Sequence, residues 1–156
     1  VIEVESYLRL PGGEFRPVAG CAWTPPVPTH IEGAIELRLN GKEIIDQSMW
    51  DYVDQLWAYI VTMLEEFTTA PRVSTYFPDQ PIELSFEARH GRVEVTSRAG
   101  AAVRRSSVDR GDFVAALKAA GDRFFADMAE VAPRNAGDYS LLRARLAAAC
   151  PDAPSR

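Results

Sequence analysis

Strand-like alternation, two long helical stripes and the order in which they follow one another predict an α+β fold. The expected architecture is a two-layer sandwich. A mainly antiparallel sheet of about five to seven strands carries two long helices on one face, followed by a short C-terminal helix. Runs of strands joined by hairpin signals and interrupted by helices belong to such a sheet, not to a βαβ repeat. At 156 residues the chain reads as a single domain, long enough to bury a core without disulfide or metal staples.

The first strand is expected over residues 2–10, where Ile2, Val4, Leu8 and Leu10 alternate with Glu3, Glu5, Tyr7 and Arg9. A long segment rich in proline and glycine follows, residues 11–30. A connection of that length is functional or unstructured. Phe15, Val18, Cys21 and Trp23 are apolar enough to hold it against the body, and Thr24–Thr29 suits polyproline II. Residues 31–39 alternate again, and Asn40-Gly41 is a strong two-residue hairpin signal leading into a short strand, Lys42–Ile45.

Ser48–Phe67 carries the longest helical pattern. Trp50, Val53, Trp57, Ile60, Val61, Leu64 and Phe67 fall on one stripe, widened by Leu56, Met63, Tyr52 and Tyr59. The apolar arc spans roughly 200°, twice that of an ordinary surface helix, so it should touch a sheet and a second helix. Ser48 and Asp51 have capping-box-like spacing, and Pro71 bars continuation. Further strands are expected at 73–77, 82–88, 92–97 and 102–108. A second long helix is expected over 112–132, capped by Asp109 and ended by Pro133. A third begins at Asp138 and closes at Pro151, and residues 152–156 read as a frayed tail.

Composition excludes several functional classes. Hydrophobic content of 47% and charged content of 25% are those of a globular domain. A net charge of −5 and a pI near 5.1 argue against a nucleic-acid binder, which would carry a basic stripe. Neither a membrane span nor a secretion signal is visible, so a cytoplasmic location is the default. Cys21 and Cys150 have no metal-ligand spacing and read as two reduced thiols, with a single bridge between them as the alternative. No metal is expected: Cys21, His30 and Glu32, the one local cluster, match no ligand pattern. No catalytic residue, cofactor motif, nucleophile elbow or phosphate loop is present. The tripeptide Arg110-Gly111-Asp112 falls at a helix start and reads as coincidence.

The outward positions of the strands stand apart. Glu3, Glu5, Glu32, Glu36, Glu83, Glu87 and Glu94 would share the exposed sheet face with Arg9, Arg38 and Arg92. On a single sheet this reads either as a solvated face laced with cross-strand Glu–Arg pairs or as a docking surface for a basic protein, with Tyr7 as aromatic anchor. The leading reading is therefore a non-enzymatic bacterial interaction protein. Size, acidity and architecture are loosely similar to those of small immunity proteins, which neutralise toxins of competing bacteria. The alternative is a small-molecule binder or enzyme, with a pocket between the sheet and the 11–30 loop lined by Phe15, Trp23, His30, Tyr76, Phe77 and Asp79. Self-association through edge strands or exposed tyrosines is a third reading.

Overall fold

The computed structural model describes residues 1–149 and shows an α+β fold built from two antiparallel sheets and three helices. The first sheet is ordered β2-β1-β3-β4, from β1 (Ile2–Arg9), β2 (Phe15–Pro17), β3 (Glu32–Leu39) and β4 (Lys42–Ile45). A two-residue strand, β5 (Asp51–Tyr52), pairs with the start of β3. The second sheet runs in chain order through β6 (Arg72–Tyr76), β7 (Ile82–Arg89), β8 (Arg92–Ala99) and β9 (Ala102–Asp109). Helices α1 (Val53–Phe67), α2 (Arg110–Val131) and α3 (Ala136–Ala148) complete it.

The expected single sheet is thus divided. The edges of β4 and β8–β9 approach one another, but side chains span the gap where a backbone ladder would otherwise run. The buried Ser97 hydroxyl donates to the Ile44 carbonyl at 2.6 Å, and Arg104 Nη1 reaches Asp46 Oδ2 at 2.8 Å. Asn40 Nδ2 donates to the Ser107 carbonyl at 3.1 Å. Strand β4 has only four residues, and its register against β3 shifts between Leu37 and Arg38. Such an irregularity bends a strand and interrupts its ladder. Two of the three two-residue hairpins among the described residues use the left-handed region at both turn residues, Asn40-Gly41 with φ of 54° and 79° and His90-Gly91 with 51° and 77°, and the third, Gly100-Ala101, at Gly100 alone with 61°.

The helices pack through aromatic rings. Trp57 is fully buried, stacks on Phe124 at 5.8 Å between centroids, meets Phe125 edge-on and donates its indole N–H to Ser6 Oγ at 2.9 Å. Gly121 of α2 lies under this ring. A Cβ there would stand 3.0 Å from Trp57 Cζ3 and 2.7 Å from Leu146 Cδ2, so α1, α2 and α3 close on one another only over a glycine. Phe67, Phe86 and Phe113 form a second edge-on chain, linking α1, β7 and α2. The broad apolar arc of α1 is occupied as its width requires, by strands on one side and helices on the other.

The helix begins five residues later than its periodicity implies. Residues 47–49 form a 3-10 turn in which Asp46 accepts the Ser48 N–H at 2.9 Å. Asp51 is no helix cap. It is buried, and its carboxylate accepts N–H groups of Tyr52 (2.7 Å), Asp79 (3.1 Å) and Gln80 (2.8 Å), fastening the 77–81 turn to β5. Gly33 makes this junction possible: a Cβ there would fall 2.2 Å from the Tyr7 carbonyl and 2.7 Å from Val53 Cγ1. Trp50, placed by periodicity on the core stripe, precedes the helix and is half-buried beside β1.

Asp109 caps α2 as expected, accepting the Asp112 N–H at 2.9 Å. Within the Arg-Gly-Asp tripeptide, the Arg110 guanidinium lies 4.6 Å over the Phe67 ring and donates to its carbonyl. The arginine is committed to the fold. The long loop lies against the body: Val18 is buried, and Cys21 and Trp23 pack on the core. Helix α3 ends at Ala148, before the expected Pro151, and Cys150, Pro151 and the 152–156 tail lie outside the described residues.

Candidate functional site

The outer face of the first sheet is built by alternation. In β1, Ile2, Val4, Ser6 and Leu8 turn to the helices, which leaves Glu3, Glu5, Tyr7 and Arg9 on the other side. Antiparallel register fixes their neighbours: Glu3 opposes Arg38, Glu5 opposes Glu36, Tyr7 opposes Ala34, and Arg9 opposes Phe15 of β2. Directly opposed side chains in such a pair stand about 5 Å apart at Cβ.

The end rows are bridged by arginines. Arg38 pairs with Glu43 of β4 at 2.8 Å and with Glu3 at 3.7 Å. At the other end Arg9 reaches Glu32 at 2.9 Å, with its guanidinium 4.1 Å above the Trp50 ring. The middle row is not closed. Glu5 and Glu36 face each other, and neither takes part in an ion pair among the described residues. The Tyr7 phenol beside them is pushed up to about 12, first by burial, then by its hydrogen bond to Glu36 and the negative charge of Glu36 and Glu5. These residues, with Glu3, Arg38 and Glu43, line a shallow hollow of about 160 Å³.

The expected acidic surface does not extend across both sheets. On the second sheet's outer face the register aligns Tyr76, Glu83, Arg98 and Val103 in one row, then Ser74, Ser85, Thr96 and Arg105, then Arg72, Glu87, Glu94 and Ser107. A last row adds Arg89, Arg92 and Asp109, so Glu83, Glu87, Glu94 and Asp109 face Arg72, Arg89, Arg92, Arg98 and Arg105, with Glu87 paired to Arg89 at 2.9 Å. On the first sheet Glu3, Glu5, Glu32, Glu36 and Glu43 face only Arg9 and Arg38. The predicted single acidic face is corrected to an acidic first sheet and a second one on which arginines outnumber carboxylates, because the chain builds two sheets where alternation alone implied one.

The six residues of the expected loop pocket lie in different surroundings. Phe15 is on the outer face opposite Arg9, Trp23 packs on the core, and His30 is exposed with its ring edge-on to Tyr52. Tyr76 is 64% exposed on the second sheet, Phe77 is buried, and the Asp79 N–H is held by Asp51. A groove of about 270 Å³ does lie at the end of that loop, between Pro28–Thr29, the start of α1 and the start of α3. Its wall contains a half-buried carboxyl, Asp54, which accepts the Tyr139 O–H at 2.8 Å. Burial pushes Asp54 above its ordinary range, against the pull of the Tyr139 and backbone hydrogen bonds. Two further hollows are smaller, one at β1 and α2 and one at the sheet junction beside Arg104.

Trp50 and Glu43 belong to the first-sheet face, and sequence reasoning missed both. Glu43 was within reach, since alternation in Lys42–Ile45 places it outward. Trp50 was not, because its spacing fits the stripe of the helix that follows. The groove residues Asp54, Asn135 and Tyr139 come from three segments that only the fold unites.

No protein-family model, no curated protein and no solved structure matches the chain. Groups of three or more histidine, cysteine or acidic residues able to hold a metal do not occur among the described residues. No helix there is long and apolar enough to cross a membrane.

Proposed function

We propose that the protein is a non-enzymatic interaction protein whose first-sheet outer face docks a basic protein. The observation that carries this reading is the opposition of Glu5 and Glu36 between two rows that the chain's own arginines complete. Like charges placed directly opposite on a sheet are destabilising. A cationic side chain from a partner would close the middle row as Arg9 and Arg38 close the outer ones. An arginine suits it best, because a planar guanidinium can bridge two carboxylates and lie against the Tyr7 ring.

The surroundings support docking. Tyr7, Phe15 and Trp50 are half-buried aromatics on the same face, beside Arg9. Tyrosine, tryptophan and arginine are the residue types that dominate binding hot spots. Clustered negative charge speeds encounter with a basic partner and selects against acidic ones. Neutralisation of a basic toxin, in the manner of an immunity protein, would use a face of this kind.

Capture from a native lysate by wild type and by Glu36→Lys tests the reading. A partner retained by wild type, lost from Glu36→Lys and released by high salt supports it. Equal retention by both proteins rejects the acidic-face mechanism.

A further inference from the structure

Of the terminal strands of the two sheets, β6 alone has a long open edge among the described residues. Strand β2 has three residues and closes on Pro17, and β4 and β9 face each other across side-chain bridges. Along β6 the register with β7 is regular. The bonds at its two ends, Ala88 N–H to the Pro71 carbonyl at 2.7 Å and Phe77 N–H to the Ile82 carbonyl at 2.9 Å, fix which groups that ladder uses. Residues 71, 73, 75 and 77 turn to β7, so the N–H and C=O groups of Arg72, Ser74 and Tyr76 point away from the sheet. Among the described residues one bond reaches these six groups, from Thr75 Oγ1 to the Tyr76 carbonyl at 3.1 Å. Exposed edges are ordinarily blunted by proline, lysine, a bulge or a covering element. Strand β6 contains no proline, lysine or bulge, and Arg72, Ser74 and Tyr76 are all exposed.

We infer that this edge pairs with β6 of a second copy of the chain, antiparallel about a two-fold axis at Ser74, and joins the two second sheets into one. A two-fold contact is self-complementary and closes at two chains. With Ser74 opposite Ser74 of the second copy, all three outward-bonding residues meet a counterpart and every open N–H gains a carbonyl. A shift of two residues either way leaves Arg72 or Tyr76 outside the ladder. The side chains select the same register. Arg72 then stands directly opposite Tyr76 of the second copy, and Tyr76 opposite its Arg72. A guanidinium over an aromatic ring is a pairing this chain uses twice already, Arg9 on Trp50 and Arg110 on Phe67. Arg72 makes no ion pair and Tyr76 no ring contact among the described residues, so both are available. A foreign strand would have to bring a cation and an aromatic four residues apart; a second copy brings them by symmetry. The edge belongs to the second sheet, and the inference does not rest on the docking role of the first.

The test is sedimentation of the purified chain over a concentration series, with amide hydrogen exchange followed at Arg72, Ser74 and Tyr76. The 17.2 kDa monomer should give way to a species of twice that mass in the micromolar range, and the three amides should gain protection together with it. Tyr76→Arg sets arginines opposite each other at both ends of the pairing and should weaken association by about tenfold or more. Adding Arg72→Glu to it should restore association. Ser74→Pro removes an N–H that the chain's own ladder does not use, and should abolish the dimer. Glu36→Lys should leave the dimer intact, so that failure of the acidic face and failure of this edge are read separately. Benzophenone at position 76 should yield an adduct of two copies of the chain. An adduct with a different chain in its place would assign the edge to another protein's strand and overturn self-pairing. A chain that stays monomeric up to about 1 mM, or a dimer unaffected by both Tyr76→Arg and Ser74→Pro, also overturns the inference.

Discussion

Replacing Glu36 by Gln removes one charge from the opposed Glu5–Glu36 pair and keeps an acceptor for the Tyr7 phenol. Two unit charges about 5 Å apart in water repel by about 0.8 kcal/mol. Measured cross-strand pair effects of about 0.2 to 1 kcal/mol bracket that value. The carboxylates can splay apart on their side chains, so the expected gain in stability is about 0.5 kcal/mol. In a chain of this size that raises Tm by about 1 to 2 °C. Urea unfolding at low ionic strength and at 1 M salt is the assay, because at the higher salt the Debye length shrinks to about 3 Å and the gain should vanish. Glu3→Gln is the control. It breaks the 3.7 Å pair with Arg38 and should stabilise nothing. A Glu36→Gln protein no more stable than wild type at low salt would show that the middle row is not frustrated. A gain that persists in 1 M salt would show that its cause is not charge.

Other consequences follow from the packing and the charge network. Asp51→Ala leaves backbone N–H groups of the 77–81 turn without their buried acceptor and should cost about 3 kcal/mol in urea unfolding. Gly121→Ala should destabilise by about 1 to 3 kcal/mol, despite alanine's better helix propensity, because its methyl collides with Leu146 and Trp57. Burial raises the Asp46 carboxyl, but the Ser48 hydroxyl, Arg104 and the Ser48 N–H outweigh it and hold the group below its ordinary range. The unfolded chain then binds more protons, so the stabilisation is present above the unfolded value and lost as pH falls through the folded one. The Tm gap between wild type and Asp46→Asn should be widest near neutrality and close below about pH 4. Asp54 has the opposite sign: its raised value means stability is gained as pH falls through it, and Asp54→Asn should erase that gain.

Most elements were legible because their signals are local. Alternation placed the strands from β6 to β9, Asn40-Gly41 placed the first tight hairpin, and Asp109 marked the start of α2. The sheet division was not legible, since alternation states which side of a strand is buried but not which edges pair across the gap at Ile44 and Ser97. Strand β2 was hidden by the prolines and glycines around Phe15–Pro17. The start of α1 was misplaced because Trp50 and Asp51 mimic a stripe residue and a cap. Asp51 is in fact recruited by a turn 28 residues further on. The acidic face was half-legible: Glu3, Glu5 and Glu36 were identified, but register alone revealed which carboxylates are neutralised.

The most direct test of the acidic docking face is photo-crosslinking in native cells with a benzophenone side chain at position 7 of the first sheet or at position 76 of the second. An adduct with a basic protein from position 7, absent from position 76 and lost when Glu36→Lys is added, is the predicted result. Adducts with that protein from position 76, or from position 7 irrespective of Glu36→Lys, would contradict it.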